Sequence, residues 1–273
     1  MTAKPLFLVL LIVILVVVSL RSIIKIVEPK FLFHPDRSLE LSPKMLGLKY
    51  TDVTIKSGNQ NMHGWYFPGN EKNGVVVFYH GNAGNMADRL SFIKFLKPLQ
   101  LNILMIDYRG YGNSQGYPSI KGIEEDGVAT VEWLLNNNKI KPRQIVLWGR
   151  SMGGAAALAA ASEYPDVAGV IAESTFISLR AIAADFAPWA PVALITDRWK
   201  NAEILASLKT PKLIIHGVND SLIPFYHGEE LYSKAAEPKQ IIPVKGADHN
   251  NTYIVGGSVY KKMVGQWIYS RLR

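Results

Sequence analysis

The sequence predicts an α/β protein whose mostly parallel sheet carries helices on both faces, and three observations indicate this class. From residue 75 onward, short apolar runs typical of strands buried on both faces alternate with helical patterns. Residues 144–161 contain an apolar run, a glycine-flanked serine and an alanine-rich run, which predicts a strand, a tight turn and a helix. The 273 residues are 48% hydrophobic and 19% charged, as expected of a core-forming domain.

The N-terminus carries an unbroken apolar run at residues 6–18, and a second apolar stretch follows at 23–27. A membrane-spanning helix needs about 20 apolar residues, and Arg21 and Lys25 can lengthen the span by extending their charged ends to the membrane surface. A cleaved secretory signal is the alternative, but no small-residue cleavage motif follows the run. We therefore predict that residues 1–30 form an uncleaved transmembrane anchor.

The charge of the chain favours a membrane surface over nucleic acid as a partner. The net charge is +8, and the sequence contains neither a nucleic-acid-binding motif nor a basic run interleaved with aromatic residues. The basic residues near the apolar run are Lys4 before it and Arg21, Lys25, Lys30 and Arg37 after it. Because positive charge favours the cytoplasmic side, we expect a single-pass anchor with the C-terminal domain in the cytoplasm.

We expect residues 31–49 to form an irregular connector and residues 50–273 to form one α/β domain. Alternating polar and apolar residues over 52–67 predict an antiparallel hairpin at the sheet edge. Further strands are predicted at 75–79, 102–107, 144–148, 168–173, 212–215 and 240–244. Helices are predicted at 86–96, 120–136, 155–161, 225–235 and near the C-terminus.

Residues 174–206 interrupt this alternation with prolines, aromatic side chains and no strand. An insertion at this point of an α/β sheet overhangs the serine at position 151, so we predict a lid that borders an acyl pocket. An ordinary pair of core-packed helices is the alternative interpretation.

Ser151 is the candidate nucleophile. The pattern G-x-S-x-G at residues 149–153, between a strand and a helix, is typical of a strained turn that presents a serine hydroxyl at the carboxyl edge of the sheet. The glycines remove Cβ atoms where the strand and the helix nearly touch. A serine hydroxyl is a poor nucleophile near neutral pH, so it needs a base and a carboxylate that orients the base.

Asp220 and His249 are the candidate acid and base. Asp220 follows the predicted strand 212–215 and His249 follows the strand 240–244, so both lie on loops at the edge that carries Ser151. Asp220 could instead cap the helix that follows it. The competing candidates are Glu173 and Asp248 for the acid and His216 for the base.

The oxyanion of an acyl-transfer reaction needs two backbone N–H donors. We predict that the residue after the nucleophile supplies one and that the loop after strand 75–79 supplies the other. A phosphate-binding loop is the weaker alternative, because the sequence contains neither G-K-[ST] nor G-x-G-x-x-G. The predicted donors are Met152 and Asn82, and the residues expected to border the substrate are His80, Gly81 and Gly84.

Five motifs, in this order along the chain, resemble the α/β-hydrolase superfamily, and within it the bud-emergence-type branch of small, N-terminally anchored serine hydrolases. The motifs are residues 80–85, 107–114, 149–154, 216–220 and 248–250. The resemblance implies the α/β-hydrolase fold with a mostly parallel, eight-stranded-type sheet. It also implies Ser151 as nucleophile, Asp220 as acid and His249 as base, in agreement with the residue-level interpretation.

The resemblance implies an acyl substrate that is a carboxylic ester, a thioester or a peptide, without choosing among them. We expect no cofactor and no metal, and the absence of cysteine excludes disulfides, thiolate ligands and a cysteine nucleophile. The alternative function is a membrane-tethered binding or scaffold protein that keeps the fold without turnover. The sequence makes no prediction of the oligomeric state.

Overall fold

The computed structural model describes residues 3–70, 73–137, 140–189 and 191–272, so residues 1 and 2 of the predicted anchor lie outside the described residues. Runs rich in β-branched and aromatic residues form the strands, as their packing preference requires. In chain order the strands are β1 (His34–Pro35), β2 (Thr51–Ser57), β3 (Gln60–Phe67), β4 (Val75–Tyr79), β5 (Ala83–Gly84), β6 (Asn102–Ile106), β7 (Ile145–Arg150), β8 (Gly169–Glu173), β9 (Lys212–Gly217) and β10 (Lys239–Val244).

Within the described residues, eight of these strands form one sheet in the order β10-β9-β8-β7-β4-β6-β3-β2. Strand β3 runs antiparallel to its neighbours β2 and β6, and every other neighbouring pair is parallel. The chain from β4 to β10 therefore returns through crossovers, and the strands of the parallel part end at one common edge. This is the sheet of an α/β-hydrolase fold, as predicted.

Helices cover both faces of the sheet. The helices are α1 (Ala3–Leu32), α2 (Leu90–Leu96), α3 (Ile120–Asn137), α4 (Gly153–Glu163), α5 (Leu179–Phe186), α6 (Asn201–Ser207), α7 (Tyr226–Lys234) and α8 (Thr252–Arg271). Successive residues of β7 point to opposite faces. Ile145 and Leu147 pack in the core that includes α3 and α4, whereas Val146 and Trp148 pack in the core that includes α2 and α8.

The N-terminal helix α1 has a different character from the rest of the chain. Within residues Phe7–Lys30 an 18-residue window has a mean hydropathy of 3.0, and none of that window is buried against the protein. In the described part of the chain it is the one helix that is long and apolar enough to cross a membrane. A helix that is apolar all round and not buried in a protein core is suited to an apolar solvent.

The connector, expected to be irregular, contacts the loop that follows β4. Its two-residue strand β1 pairs in parallel with β5 in that loop. The Asp36 N–H donates to the Gly84 carbonyl at 3.1 Å, and the Asn85 side-chain amide donates to the Ser38 carbonyl at 2.7 Å. These contacts are between residues far apart in sequence, which is why local periodicity did not indicate them.

The segment predicted as a lid combines two kinds of structure. Helix α6 packs against α4 and α7 and buries Ala202 and Leu205, so it belongs to the helical layer on the sheet. Helix α5 buries Leu179 and Ile182, but its end and the stretch after it leave Phe186 and Trp189 exposed. The lid role of the segment stays a prediction.

Candidate active site

Ser151 lies at the sharp turn between β7 and α4. Its backbone has φ 55°, a left-handed conformation that a residue with a Cβ adopts only when its surroundings impose it. The turn is tight, because a Cβ at Gly149 would lie 2.1 Å from the Gly153 carbonyl oxygen. A Cβ at Gly153 would lie 2.1 Å from the Tyr79 carbonyl oxygen of the neighbouring strand. The two glycines flanking Ser151 are therefore required by the close approach of strand and helix.

His249 and Asp220 form a hydrogen-bonded pair on two adjacent loops. Asp220 follows β9 and His249 follows β10, so both lie at the edge where β7 ends in Ser151. The Nδ1 atom of His249 lies 2.9 Å from Oδ2 and 3.2 Å from Oδ1 of Asp220. Because the Asp220 carboxylate is an acceptor, Nδ1 carries the proton and Nε2 is left with its lone pair.

The environment of Asp220 favours its ionised form. Burial raises the pKa of this carboxyl, but hydrogen bonds from His216, from His249 and from the Ile223 backbone N–H outweigh burial and hold the pKa well below its ordinary value. The Ile223 N–H and the Leu222 N–H donate to Oδ1 at 2.7 and 3.0 Å. A permanently charged carboxylate at this place holds the His249 ring in one tautomer and one orientation.

The Ser151 hydroxyl has no hydrogen-bond partner among the described residues, so the structure brings the acid and the base into contact but does not show a bond between the base and the serine. Such a contact is often long until substrate is bound. The exposed fraction is 9% for Ser151 and 6% for His249, so both residues are largely buried but not sealed from solvent.

His216 and Asp248, considered above as a rival base and a rival acid, have other partners. His216 is buried, and its Nε2 donates to the Ile223 carbonyl at 2.8 Å while lying 3.4 Å from Asp220. Asp248 accepts hydrogen bonds at Oδ1 from the Ser221 N–H at 2.8 Å and from the His249 N–H at 2.7 Å. Asp248 thus holds the backbone of two loops together and makes no contact with the His249 imidazole.

Glu173, the other rival acid, is the centre of a buried network. Its carboxylate accepts from Trp148 Nε1 at 2.9 Å, from Arg150 Nη2 at 3.1 Å, from Thr252 Oγ1 at 2.5 Å and from the Tyr260 hydroxyl at 2.9 Å. A carboxylate with four donors is fully satisfied in a buried site. The network joins the residue before the nucleophile to helix α8, which begins three residues after His249.

Arg150, the residue before Ser151, has a side-chain environment that the sequence did not indicate. Its guanidinium is buried and lies over the Phe92 ring, 4.4 Å from the centroid. The side chain at this variable position of G-x-S-x-G therefore points away from the cleft into the core. The sequence showed only an arginine shortly after an apolar run. That pattern does not predict an ion pair with Glu173 on the next strand.

The loop after β4 passes directly beside Ser151. A Cβ at Gly81 would lie 3.4 Å from the Ser151 Cβ, which measures how closely the loop approaches the serine. Among the described residues, the backbone N–H groups of Asn82 and Met152 donate no hydrogen bond. The side chain of Asn82 is engaged instead, since its Oδ1 accepts from the Tyr111 hydroxyl at 3.3 Å. Two free N–H groups therefore flank the serine.

His80 begins this loop and Gly84 lies within it, and both are held in place by neighbouring side chains. We predicted a substrate contact for His80, but its imidazole is fully buried, 3.3 Å from Asp107 and with its ring centroid 4.6 Å from that of Tyr108, because the chain leaving β4 places it in the core. Asp107 in turn accepts from the Met86 N–H at 2.8 Å, where the chain turns into its next helix. Gly84 has φ 77°, and a Cβ there would lie 1.9 Å from Asp88 Oδ2.

No three His, Asp or Glu side chains are grouped as ligands of a metal ion in the part of the chain that the structure describes. A cavity of about 710 Å³ lies between α7 and the edge strand β10, on the far side of the Asp220 loop. Its lining is mostly apolar, with Phe225, Tyr232 and Ile241 among its residues, and it includes none of the predicted site residues. The cavity is therefore separate from the site described above.

The fold and the site define a class of protein, the α/β hydrolases, and comparisons with known proteins agree. Residues 74–198 match the family model described as alpha/beta hydrolase fold. The chain is 32% identical over 250 residues to the alpha/beta hydrolase domain-containing protein WAV2 of Arabidopsis thaliana, covering 83% of this chain and 80% of WAV2. It is 31% identical over 224 residues to an uncharacterized membrane protein of Saccharomyces cerevisiae, covering 79% of each.

Among solved structures, an esterase of Pyrococcus furiosus superposes with a TM-score of 0.74 at 25% identity, covering 89% of this chain and 99% of the esterase. The chain belongs to the α/β-hydrolase family. Its fold and its esterase neighbours support hydrolase activity in general.

Proposed function

We propose that this chain is a serine hydrolase that cleaves acyl bonds through a covalent acyl-enzyme intermediate. The observation that carries the proposal is the strained Ser151 at the end of β7, beside two loops whose His249 and Asp220 are 2.9 Å apart. A left-handed backbone at a serine between two closely packed glycines lowers the free energy of unfolding. Such strain is typical of a turn that presents a serine hydroxyl to a catalytic base.

In the proposed reaction, Ser151 Oγ attacks the carbonyl carbon of the substrate, and Nε2 of His249 takes the hydroxyl proton. The proton then passes from His249 to the leaving group, which departs and leaves Ser151 acylated. A water molecule, deprotonated by the same imidazole, releases the acid and restores the serine. Asp220 stays ionised throughout and stabilises the imidazolium, which its low pKa supports.

The oxyanion that forms in each step is held by the N–H groups of Met152 and Asn82 in this proposal. Both donors are free of other partners among the described residues, and Met152 lies at the N-terminus of α4, where the helix dipole favours negative charge. His80 and Asp107 are assigned the role of holding the Asn82 loop in place.

We further propose that α1 anchors the enzyme in a membrane, with the α/β domain on the cytoplasmic side. The length and hydropathy of residues Phe7–Lys30 support the anchor, and so does the relative from yeast that is described as a membrane protein. The substrate class is an ester, a thioester or an amide, and an anchored enzyme is suited to substrates with an apolar acyl group.

Labelling with a fluorophosphonate probe tests the nucleophile directly, because the probe forms a stable bond only with an activated serine. We expect the purified full chain to be labelled and Ser151→Ala to remain unlabelled. Ser162→Ala, at an α4 serine whose hydroxyl donates to the Leu158 carbonyl at 2.9 Å, is the matched control and should label like the wild type. Equal labelling of Ser151→Ala would reject Ser151 as nucleophile. A wild type that neither labels nor cleaves p-nitrophenyl esters would favour the non-catalytic alternative.

A further inference from the structure

The segment predicted as a lid (residues 174–206) is bonded directly to the end of α1. Glu28 accepts a hydrogen bond from the Thr196 backbone N–H at 3.2 Å and a second, short one from the Thr196 hydroxyl. Phe33, just after α1, packs edge-on against Trp199 with ring centroids 6.1 Å apart, and both rings are buried. These contacts set the position of the segment relative to the apolar helix.

The same segment is also bonded to the turn that carries Ser151. The Thr175 hydroxyl donates to the Ser151 carbonyl oxygen at 2.5 Å. At the end of α5, the Asp185 carboxylate accepts from the Tyr226 hydroxyl at 2.7 Å and from His227 Nε2 at 2.6 Å. The segment is therefore a bridge between the cleft and the apolar helix, held at three places.

The contact with Glu28 lies at the depth of the lipid headgroups if α1 spans a bilayer. The apolar stretch Phe7–Lys30 has 24 residues, which corresponds to about 36 Å of helix. The hydrocarbon core is about 30 Å thick and each headgroup layer adds about 5–7 Å. Glu28, near the C-terminal end of the stretch, therefore lies in a headgroup layer, and Thr196 lies there with it.

Residues 186–189, which we call the lid tip, expose two large aromatic rings. Phe186 is 61% exposed and Trp189 is 86% exposed. The hydrogen bonds of Asp185 hold the adjacent Phe186 away from the domain, while Leu179 and Ile182 form the buried face of α5. Trp and Tyr residues form a belt at membrane interfaces, and the exposed Trp189 lies on the same segment as Thr196, which bonds Glu28.

We propose that the lid tip docks on the surface of the bilayer that holds α1, inserting Phe186 and Trp189 among the lipid headgroups. The cleft above Ser151 then opens towards the membrane, and its substrate is an acyl compound dissolved in the bilayer. This inference rests on the proposed anchor and hydrolase function and adds to them an interaction surface and a route of entry. We take the binding partner of the lid tip to be lipid for one reason. The segment that carries the lid tip is hydrogen-bonded through Thr196 to Glu28 of α1, and α1 itself requires a lipid environment.

Quenching of tryptophan fluorescence by brominated lipids tests the docking without any need for turnover. The full chain is reconstituted in phosphatidylcholine vesicles whose acyl chains carry bromine near the headgroup. Trp189 is the most exposed tryptophan of the described residues at 86%, whereas Trp133 is partly exposed and Trp65, Trp148, Trp199 and Trp267 are buried. We expect brominated lipid to quench the wild type and expect most of that quenching to disappear in Trp189→Phe.

The matched control moves the reporter to the opposite edge of the sheet. Arg143, exposed just before β7, lies at the amino edge, about 20 Å of strand away from Ser151. Arg143→Trp in the Trp189→Phe background should show no quenching. A wild type that floats with the vesicles but shows no more quenching than Trp189→Phe overturns the docking. A wild type that does not float overturns the anchor, and the docking with it.

Hydrolysis provides a second readout. Phe186→Ser combined with Trp189→Ser should lower the rate on a long-chain ester embedded in vesicles by on the order of tenfold, since burial of two aromatic rings at the membrane is lost. The rate on a short soluble ester should stay within about twofold of the wild type. Equal loss on both substrates would mean that the lid tip supports the site itself, and it would overturn the entry route.

Discussion

Ser151 occupies a backbone conformation that its own side chain disfavours, and the residues around it explain why it persists. The left-handed φ of 55° is stabilised from outside the turn, because the Ser151 N–H donates to the Glu173 carbonyl at 2.8 Å. The Ser151 carbonyl accepts from the Gly154 N–H at 2.9 Å. Backbone hydrogen bonds on two sides of the turn therefore hold Ser151 in its strained conformation.

Asp220→Asn should reduce kcat strongly while leaving KM nearly unchanged. An asparagine keeps the shape but lets the His249 ring settle in the wrong tautomer, and it removes the charge that stabilises the imidazolium. We expect kcat for a soluble ester to fall by on the order of 10⁴-fold, the scale of such a change in a serine hydrolase triad. Steady-state kinetics over several substrate concentrations separate the two parameters.

Asp248→Asn is the control for this prediction. Asp248 accepts hydrogen bonds from the backbone N–H and the hydroxyl of Ser221 and from the backbone N–H of His249. Its carboxylate does not bond the His249 imidazole. A fall in kcat of less than about tenfold is expected. If Asp248→Asn were as damaging as Asp220→Asn, the assignment of the acid would have to be exchanged.

Three elements, β7, β8 and α8, are held together through the carboxylate of Glu173. The charge of Arg150 is buried against it, so neither partner is tolerated alone. A buried ion pair adds little net free energy of unfolding, because desolvation offsets the attraction between the charges. The main effect of the four hydrogen bonds on this carboxylate is to fix the positions of the three elements. The His249 loop lies just before α8, and Ser151 lies just after β7, so the network sets the relative position of these two residues.

Glu173→Gln should destabilise the fold by about 3–5 kcal/mol, since it leaves the Arg150 guanidinium buried without a counter-charge. Arg150→Met should cost a similar amount for the converse reason. The double variant should be more stable than the sum of the two single effects predicts, because it buries no unpaired charge. Chemical unfolding of the four proteins in one detergent gives this cycle, and strictly additive effects would contradict the coupling.

His227 holds α5 to α7 and makes this contact sensitive to pH. Burial lowers the pKa of His227 although the Asp185 carboxylate opposes the shift, and the neighbouring charges of His216 and Glu230 contribute smaller effects of opposite sign. The folded protein therefore keeps the imidazole neutral, with Nδ1 accepting from the Ile177 N–H at 3.1 Å. A protonated ring would lose that acceptor.

The sign of the pH effect follows from this lowered pKa. As the pH falls to about 6.5 and below, the unfolded chain protonates His227 more fully than the folded chain does, because its pKa is lowered in the folded state, so the unfolded state binds more protons. Stability is complete above that pH and falls on acidification, by at most about 1.4 kcal/mol per pH unit from this group. Between pH 7.5 and pH 5.5, His227→Gln should lose less of its unfolding free energy than the wild type does. Identical losses would exclude His227 as the source.

At the scale of the whole molecule, the apolar helix, the connector and the oxyanion loop form one continuous structure. Helix α1 continues into β1, and β1 pairs with β5, which follows Asn82 directly. The His34 N–H also donates to Asn82 Oδ1 at 3.3 Å. The anchor proposed for α1 would therefore be joined by hydrogen bonds to the edge that carries Ser151, and it would not be a flexible tether.

Protease protection tests the proposed sidedness. If the basic residues after the apolar stretch keep the α/β domain in the cytoplasm, protease added outside intact spheroplasts should leave the domain uncut. Digestion should begin when the membrane is permeabilised with detergent. The exposed Arg143 and Lys121 offer tryptic sites on the domain surface, so digestion in intact spheroplasts would reverse the orientation.

Much of the fold was predictable from local patterns. The apolar run at 75–79 predicts the strand Val75–Tyr79, and the small-residue run after Ser151 predicts α4, because each pattern reflects contacts with nearby elements of known geometry. The break in α8 at Gly257, with φ 51° and ψ −132°, was not predictable, because glycine inside a helical pattern permits a kink without requiring one. The pairing of β1 with β5 was equally hidden, since two residues carry no periodicity.

The sequence by itself determined which chemical groups lie at the ends of which strands, because parallel strands end at one edge and every candidate of the proposed triad stood at the end of a strand or just beyond it. Tertiary structure alone decided which carboxylate meets the His249 ring: Glu173 is bound by Arg150, Asp248 by backbone N–H groups, and of these three carboxylates only Asp220 bonds that ring. The physical reason is range. Strand and helix patterns depend on neighbours a few residues apart. The hydrogen-bond partners of these carboxylates lie 20 to 90 residues away along the chain, so only the folded structure determines which groups come within bonding distance.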